Sequence, residues 1–254
     1  DDVLEVHHLL EQHKPSVQGL TGPVGQIWMF NRAMHRDRVA GSQRPAEHFE
    51  KRLQAAFFDE LLQHQVVGES LLVEGWTFRQ WRARLDQHPD LKHDTQGLSE
   101  AEIATRLGIE GARIDGWLLP DTYLFDKQSS DLELLARAHR AMRNKLEAAW
   151  NEREANLPYK NPYEALIMAS IVEKETGRSD DRALVAAVFV NRLRKGMLLQ
   201  TDPTVIYGLG ETFDGNLRKR DLQTDTPYNT YTRGGLPPSP IAMPGLASIQ
   251  AALH

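Results

Sequence analysis

The chain has 254 residues, of which 41% are hydrophobic and 26% charged, and it carries a formal net charge of -5. That is an ordinary globular balance, long enough for one large domain or two smaller ones. Acidic and basic residues are interspersed, which argues against nucleic acid as a partner, and the lack of cysteine excludes disulfides, thiolate metal sites and a cysteine nucleophile.

Residues 1–66 are the least legible. Gly19 to Gly25 reads as a loop, and Arg32 to Arg44 as a basic loop or loose helix. From Pro45 the spacing of Phe49, Leu53, Phe57 and Leu61 predicts a helix with one apolar stripe. Leu71 to Val73 then predicts a short strand before a Glu-Gly turn, and Thr77 a cap for a helix through Leu85. Ser99 and Glu102 form a capping-box pattern for a helix ending near Gly108. Gly116 to Phe125 reads as an extended, largely buried segment broken by Pro120, and Asp131 to Trp150 as a long amphipathic helix.

Asn161-Pro162 supplies an N-cap and an N1 proline for a helix to about Glu175, with Gly177 as its stop. Its middle, Ala165 to Val172, is apolar almost all round, so this helix should be buried. A further helix runs from Ser179 to the Arg194-Lys195-Gly196 stretch, with acids in its first turn and bases in its last. From Gly196 to Pro244 the Gly, Pro, Asp and Asn clusters predict long ordered loops, a common setting for function. Helices with short strands between them make the expected class α+β.

Glu173 and Glu175 sit two positions apart, about 200° around a helix, so they cannot share a face. Glu175 lies over Val172, Ile171 and Met168; Glu173 lies over Ser170, Ala169 and Leu166, a smaller and more polar set. Apolar neighbours, the negative helix end and the second acid all favour a neutral Glu175 that holds its proton, as an acid for glycosidic cleavage must. A solvated, charged helix end would look the same, and spacing alone does not establish catalysis. The ten His are scattered, and His7-His8 and His88 to His93 lack a helical metal-binding spacing. No metal or cofactor is expected, and neither a nucleophile elbow nor a P-loop occurs.

From Gly116 onward the chain resembles the YceG-like family, the MltG-type endolytic lytic transglycosylases of bacterial cell walls. The resemblance rests on GWLLPDTYLF (Gly116 to Phe125), LPYKNPYEALIMASIVEKETG (Leu157 to Gly177), VAAVFVNRLRKGMLLQTDPTVIYGLG (Val185 to Gly210) and TPYNTYTRGGLPPSPIAMPG (Thr226 to Gly245). VEGWTF (Val73 to Phe78) also looks like the family segment ahead of the catalytic domain. The resemblance implies that the catalytic glutamate lies in SIVEKET; Glu175 is assigned to it, with Glu173 as the fallback. Gln200, Thr201, Asp202 and Tyr207, with Tyr228, Asn229, Thr230 and Tyr231, form the expected sugar groove, and Ser170 joins them as a substrate-binding candidate. Amide, hydroxyl and aromatic groups suit sugar rings and N-acetyl groups, while the competing reading gives Asp202-Pro203 a turn and the Tyr residues core positions.

By the same resemblance the expected reaction breaks the bond between N-acetylmuramic acid and N-acetylglucosamine and leaves a 1,6-anhydro end. The alternatives are a water-adding muramidase with Asp202 as second carboxylate, and a peptidoglycan-binding scaffold without turnover. The expected division is an N-terminal segment over 1–66, a LysM-like α/β or linker module over 67–115, and a helix-rich catalytic domain over 116–254 that continues further in relatives. Implied partners are peptidoglycan glycan strands and a peptidoglycan synthase. The implied location is the bacterial inner membrane, through an N-terminal anchor upstream of Asp1, with the catalytic domain in the periplasm.

Overall fold

The computed structural model describes residues 68–254. The helix expected around Phe49 to Leu61, and the whole of the 1–66 segment, lie outside the described residues.

Strand β1 (Gly68–Leu72) pairs antiparallel with β3 (Asp121–Phe125), Ser70 standing opposite Tyr123. Between them come α1 (Phe78–Asp86), the two-residue β2 (Leu91–Lys92) and α2 (Glu100–Leu107). β2 pairs in parallel with β4 (Ser129–Ser130). Both sheets are therefore two-stranded, and each joins a strand before residue 115 to one after it. The expected strand at Leu71 to Val73 is shifted towards Gly68. The segment from Gly116 is strand only from Asp121, and it is half-buried: Tyr123 and Phe125 turn inward while Leu124 stays 51% exposed. The two-stranded sheet packs one face on the core and leaves the other to water.

The local signals ahead of the first two helices hold. Thr77 and Gln80 make a reciprocal capping box on α1, and Ser99 and Glu102 make one on α2, which ends on Gly108 in the left-handed conformation. The long helix α3 (Asp131–Asn151) spans two hydrophobic clusters. Leu134, Leu135 and Ala138 pack with Trp81, Leu85, Ile103 and Phe125. Two turns on, Met142, Leu146 and Ala149 pack with helix α4 (Pro162–Glu175).

α4 is the centre of the second cluster. Asn161 caps it by accepting the Glu164 amide at 3.0 Å, with Pro162 in the first turn. Ala165 to Val172 are all buried, as the all-round apolar pattern predicts. The cover comes from α3, from α5 (Ser179–Arg194) and from α8 (Leu246–Leu253). α8 was not expected from the sequence. The stretch after Gly196 is also less loop-like than predicted: α6 (Asp202–Leu209) and the short α7 (Lys219–Gln223) interrupt it. Asp202-Pro203 starts a helix here rather than a turn, since proline's fixed φ suits a first helical turn as well. Among the described residues the architecture is a helix-rich α+β fold with four short strands.

One glycine is dictated by packing. Gly116 has φ of 85°, and a Cβ there would lie 2.5 Å from Pro240. Only glycine permits both the turn and the close approach.

Candidate active site

The site is built where α4 runs out of cover. Its apolar block ends at Val172, and Thr176 leaves the helix in extended conformation. Glu175 occupies the final turn and is exposed. The expectation that Val172, Ile171 and Met168 would dehydrate it fails. Those three are fully buried beneath other elements, and the carboxylate projects beyond them.

Glu175 is nevertheless held. The hydroxyl of Thr201 donates to its Oε1. Thr201 is only 1% exposed, and its own amide donates to Thr230 Oγ1 at 3.1 Å. The Thr204 hydroxyl donates to the Thr201 carbonyl at 2.8 Å and stands 2.9 Å from Thr230 Oγ1. Three threonines thus fix the donor that fixes the acid. Gln200, just ahead, has φ of 55°; its amide donates to the Thr230 carbonyl at 3.0 Å, and Arg192 donates to its Oε1 at 3.3 Å. That unusual backbone turns the chain sharply into α6 and leaves the Gln200 side chain exposed at the rim.

Tyr231 completes the near side. Its hydroxyl donates to Asp202 Oδ1 at 2.5 Å. Its pKa is pushed up to about 12 by burial, then by Asp202, with a further contribution from the Glu175 carboxylate. Gln200, Thr201, Asp202, Thr230 and Tyr231 are therefore brought together around Glu175.

The remaining expected residues make no hydrogen bond to Glu175 and are engaged elsewhere. Asn229 is fully buried; its Nδ2 donates to the carbonyls of Asp221, Leu222 and Thr224, and its Oδ1 accepts the Tyr231 amide at 2.9 Å. It shapes the loop that presents Thr230 and Tyr231. Ser170 is equally buried, donating to the Ile167 carbonyl at 2.7 Å and accepting the Ile241 amide at 3.0 Å, so it anchors the loop at Ile241 across α4. Tyr207 and Tyr228 meet edge to face with centroids 4.8 Å apart. Their hydroxyls are engaged by Asp115 at 2.5 Å and by Ser239 at 2.7 Å.

Glu173 has a different position from Glu175. It is half-buried, and its Oε2 accepts both the Gly245 amide at 3.0 Å and the Ser248 hydroxyl at 2.7 Å. These lie at the start of α8, where a negative charge is favoured by the helix dipole and by free amides. Glu74 reaches the same place: a side chain on Gly245 would collide with its carboxylate. Burial, and then the neighbouring Glu173, push the Glu74 pKa up, while Arg182 pulls it down. The Glu74 turn is itself stitched down, Gly75 and Trp76 exchanging backbone hydrogen bonds of 2.8 Å with Met243.

Asp115, Glu74 and Ser248 were missed in the sequence, because nothing local marks them. In the sequence Glu74 reads only as part of a Glu-Gly turn.

Asp86, His93 and Asp131 could offer metal-ligand atoms within 4.8 Å of one another. They lie on α1, after β2 and at the start of α3, not on the elements around Glu175. Asp131 already accepts the amide and hydroxyl of Thr95, and the Arg82 guanidinium stands 3.8 Å from Asp86, where it competes with any cation.

The YceG-like family model matches residues 40–254. An endolytic murein transglycosylase of Bacillus subtilis is 43% identical over 142 residues, a match covering 56% of this chain and 39% of that protein. The endolytic murein transglycosylase of Streptococcus pneumoniae serotype 2 is 33% identical over 147 residues, covering 56% of this chain and 26% of its own length. The chain thus spans well under two thirds of these relatives. The crystal structure of a YceG-like protein from Listeria monocytogenes superposes with a TM-score of 0.58 at 29% identity, over 82% of this chain and 73% of that one.

Proposed function

The chain belongs to the YceG-like family, and from that premise and the geometry around Glu175 we propose that it cleaves peptidoglycan glycan strands internally as a lytic transglycosylase. The observation that carries the reading is the state of Glu175. One oxygen is fixed by a buried threonine hydroxyl, the other takes no hydrogen bond from the described residues, and the group is exposed to a polymeric substrate. Glu173 is the weaker candidate, since its carboxylate is engaged at the start of α8.

In the proposed reaction Glu175 donates its proton to the glycosidic oxygen linking N-acetylmuramic acid to N-acetylglucosamine as that bond breaks. The resulting carboxylate then accepts the proton of the muramoyl C6 hydroxyl, whose oxygen closes on C1. The acid is regenerated, no water is consumed, and the products are a 1,6-anhydro end and a free 4-hydroxyl. Because Glu175 is exposed in the free protein, water exclusion during the reaction comes from the bound strand itself. Thr201 keeps the carboxyl in one rotamer through both steps.

This reading puts the protein on the outer side of the cytoplasmic membrane, acting on strands made by a peptidoglycan synthase and thereby limiting their length. No described helix is long and apolar enough to cross a membrane.

The test is digestion of intact and peptide-free sacculi with wild-type and Glu175→Gln protein, followed by mass spectrometry. Anhydro-ended fragments from the wild type alone are expected. Reducing ends, heavier by one water, would instead indicate hydrolysis with Asp202 as partner. Bound but uncut strands would indicate a scaffold.

A further inference from the structure

Tyr207 and Asp115 lie outside the immediate surroundings of Glu175, and neither group is free. Asp115 is 4% exposed. Its Oδ1 accepts the Phe78 amide at 2.7 Å and its Oδ2 accepts the Tyr207 hydroxyl at 2.5 Å. Phe78 opens α1, where first-turn amides have no partner inside the helix. The carboxylate therefore joins the start of one helix to the side of another.

That second helix is α6, whose N-cap is Thr201. Tyr207 lies about two turns along it from Thr201. The Tyr207 ring also packs edge to face on Tyr228, one residue ahead of Asn229 and two ahead of Thr230, which receives the Thr201 amide. Asp115 thus grips α6 at one end, and Thr201 reaches Glu175 from the other. A buried carboxylate with two well-placed donors resists displacement, because either donor left alone would be buried without a partner. On the outer side the Arg113 guanidinium stands 5.7 Å from the Tyr207 ring centroid, covering the ring further.

We propose that Asp115 and Tyr207 are positioning residues for the glycan-cleaving reaction, fixing α6 so that the Thr201 hydroxyl meets Glu175, and that Tyr207 is not a sugar-binding residue. The inference rests on the reading of Glu175 as the acid. It assigns the segment before residue 116 a part in assembling the catalytic end.

Tyr207→Phe removes only the hydroxyl and is the primary variant. Asp115→Asn, which can accept with one oxygen only, is the second and carries the greater risk to folding. Uncrosslinked glycan strands are the probe, and amide hydrogen exchange over Thr201 to Thr204 is read in parallel. The expected result for Tyr207→Phe is a fall in kcat per folded molecule of about tenfold or more with KM within about twofold, a lowered melting temperature that still leaves the protein folded under assay conditions, and faster exchange over those amides. A raised KM at unchanged kcat makes Tyr207 a binding residue and overturns the proposal. So does unchanged turnover, or a loss of activity that merely follows the unfolded fraction. Should the wild type itself cut nothing, the functional reading fails on its own. Exchange then still decides: unchanged protection over Thr201 to Thr204 overturns the positioning role, and faster exchange upholds it.

Discussion

The hydroxyl of Thr201 donates its hydrogen bond to Oε1 of Glu175, across a gap of 26 residues in sequence. Thr201 has no second use for that hydroxyl: it makes no side-chain cap on α6, although it stands at the cap position. Thr201→Val, of nearly equal shape, removes the donor alone. A hydrogen bond to an ionisable group contributes about 1.5–3 kcal/mol, so kcat should fall roughly 10- to 100-fold with little change in KM. Thr201→Ser should restore most of the rate. Steady-state release of muropeptides from the three proteins checks this.

Glu173 and Glu175 should separate cleanly. Glu175→Gln is expected to abolish strand cleavage and leave the melting temperature unchanged, because the group is exposed. Glu173→Gln weakens the acceptor shared by Gly245 and Ser248 and should destabilise the fold by about 1–3 kcal/mol while retaining turnover in the folded fraction. Denaturant melts and product analysis on both variants are the measurement. The reverse pattern would move the acid to Glu173.

His139 gives the fold a pH dependence. It is 5% exposed in α3, with Nδ1 3.0 Å from the Trp117 carbonyl, and burial pulls its pKa below the ordinary histidine value, with Arg143 and Arg140 acting in the same direction. The unfolded chain therefore binds a proton more readily than the folded one below about pH 6.5. Stability should be fullest above that pH and decline as pH falls towards the lower, folded value. His139→Gln should flatten this part of the curve, as read from melting temperatures between pH 5 and pH 8.

The capping boxes predict a purely structural effect. Ser99→Ala removes the hydroxyl that accepts the Glu102 amide at 3.3 Å. It should cost about 1 kcal/mol without altering cleavage per folded molecule. Chemical denaturation measures it directly.

The contrast between caps and acids explains what could be read from the chain. Thr77, Ser99 and Asn161 announce helix starts because the groups they satisfy lie three residues away. Ala165 to Val172 announces burial because an apolar run on every face admits no other place. The gathering of Thr201, Asp202, Thr230 and Tyr231 beside Glu175 followed from family motifs, not from periodicity. Sequence spacing shows only neighbours within two turns of either acid. On that basis Glu175 reads as sheltered by apolar side chains that distant segments in fact cover. What shelters Glu173 is the Gly245 to Ser248 corner, contributed from far along the chain. α8 escaped notice for a similar reason: LASIQAAL has few distinguishing side chains, and its place on α4 comes from tertiary packing.

The backbone exchange of Gly75 and Trp76 with Met243 joins opposite ends of the described chain. A polypeptide made from its N-terminus exposes the Glu74 corner long before Met243 exists to receive it, and contacts so far apart in sequence are slow to form. The nascent molecule consequently passes through a stage in which its helices can be present but the corner that receives Glu173 is missing. On the proposed reading of Glu175, the corner that steadies the end of its helix therefore forms only after almost all of residues 68–254 has emerged.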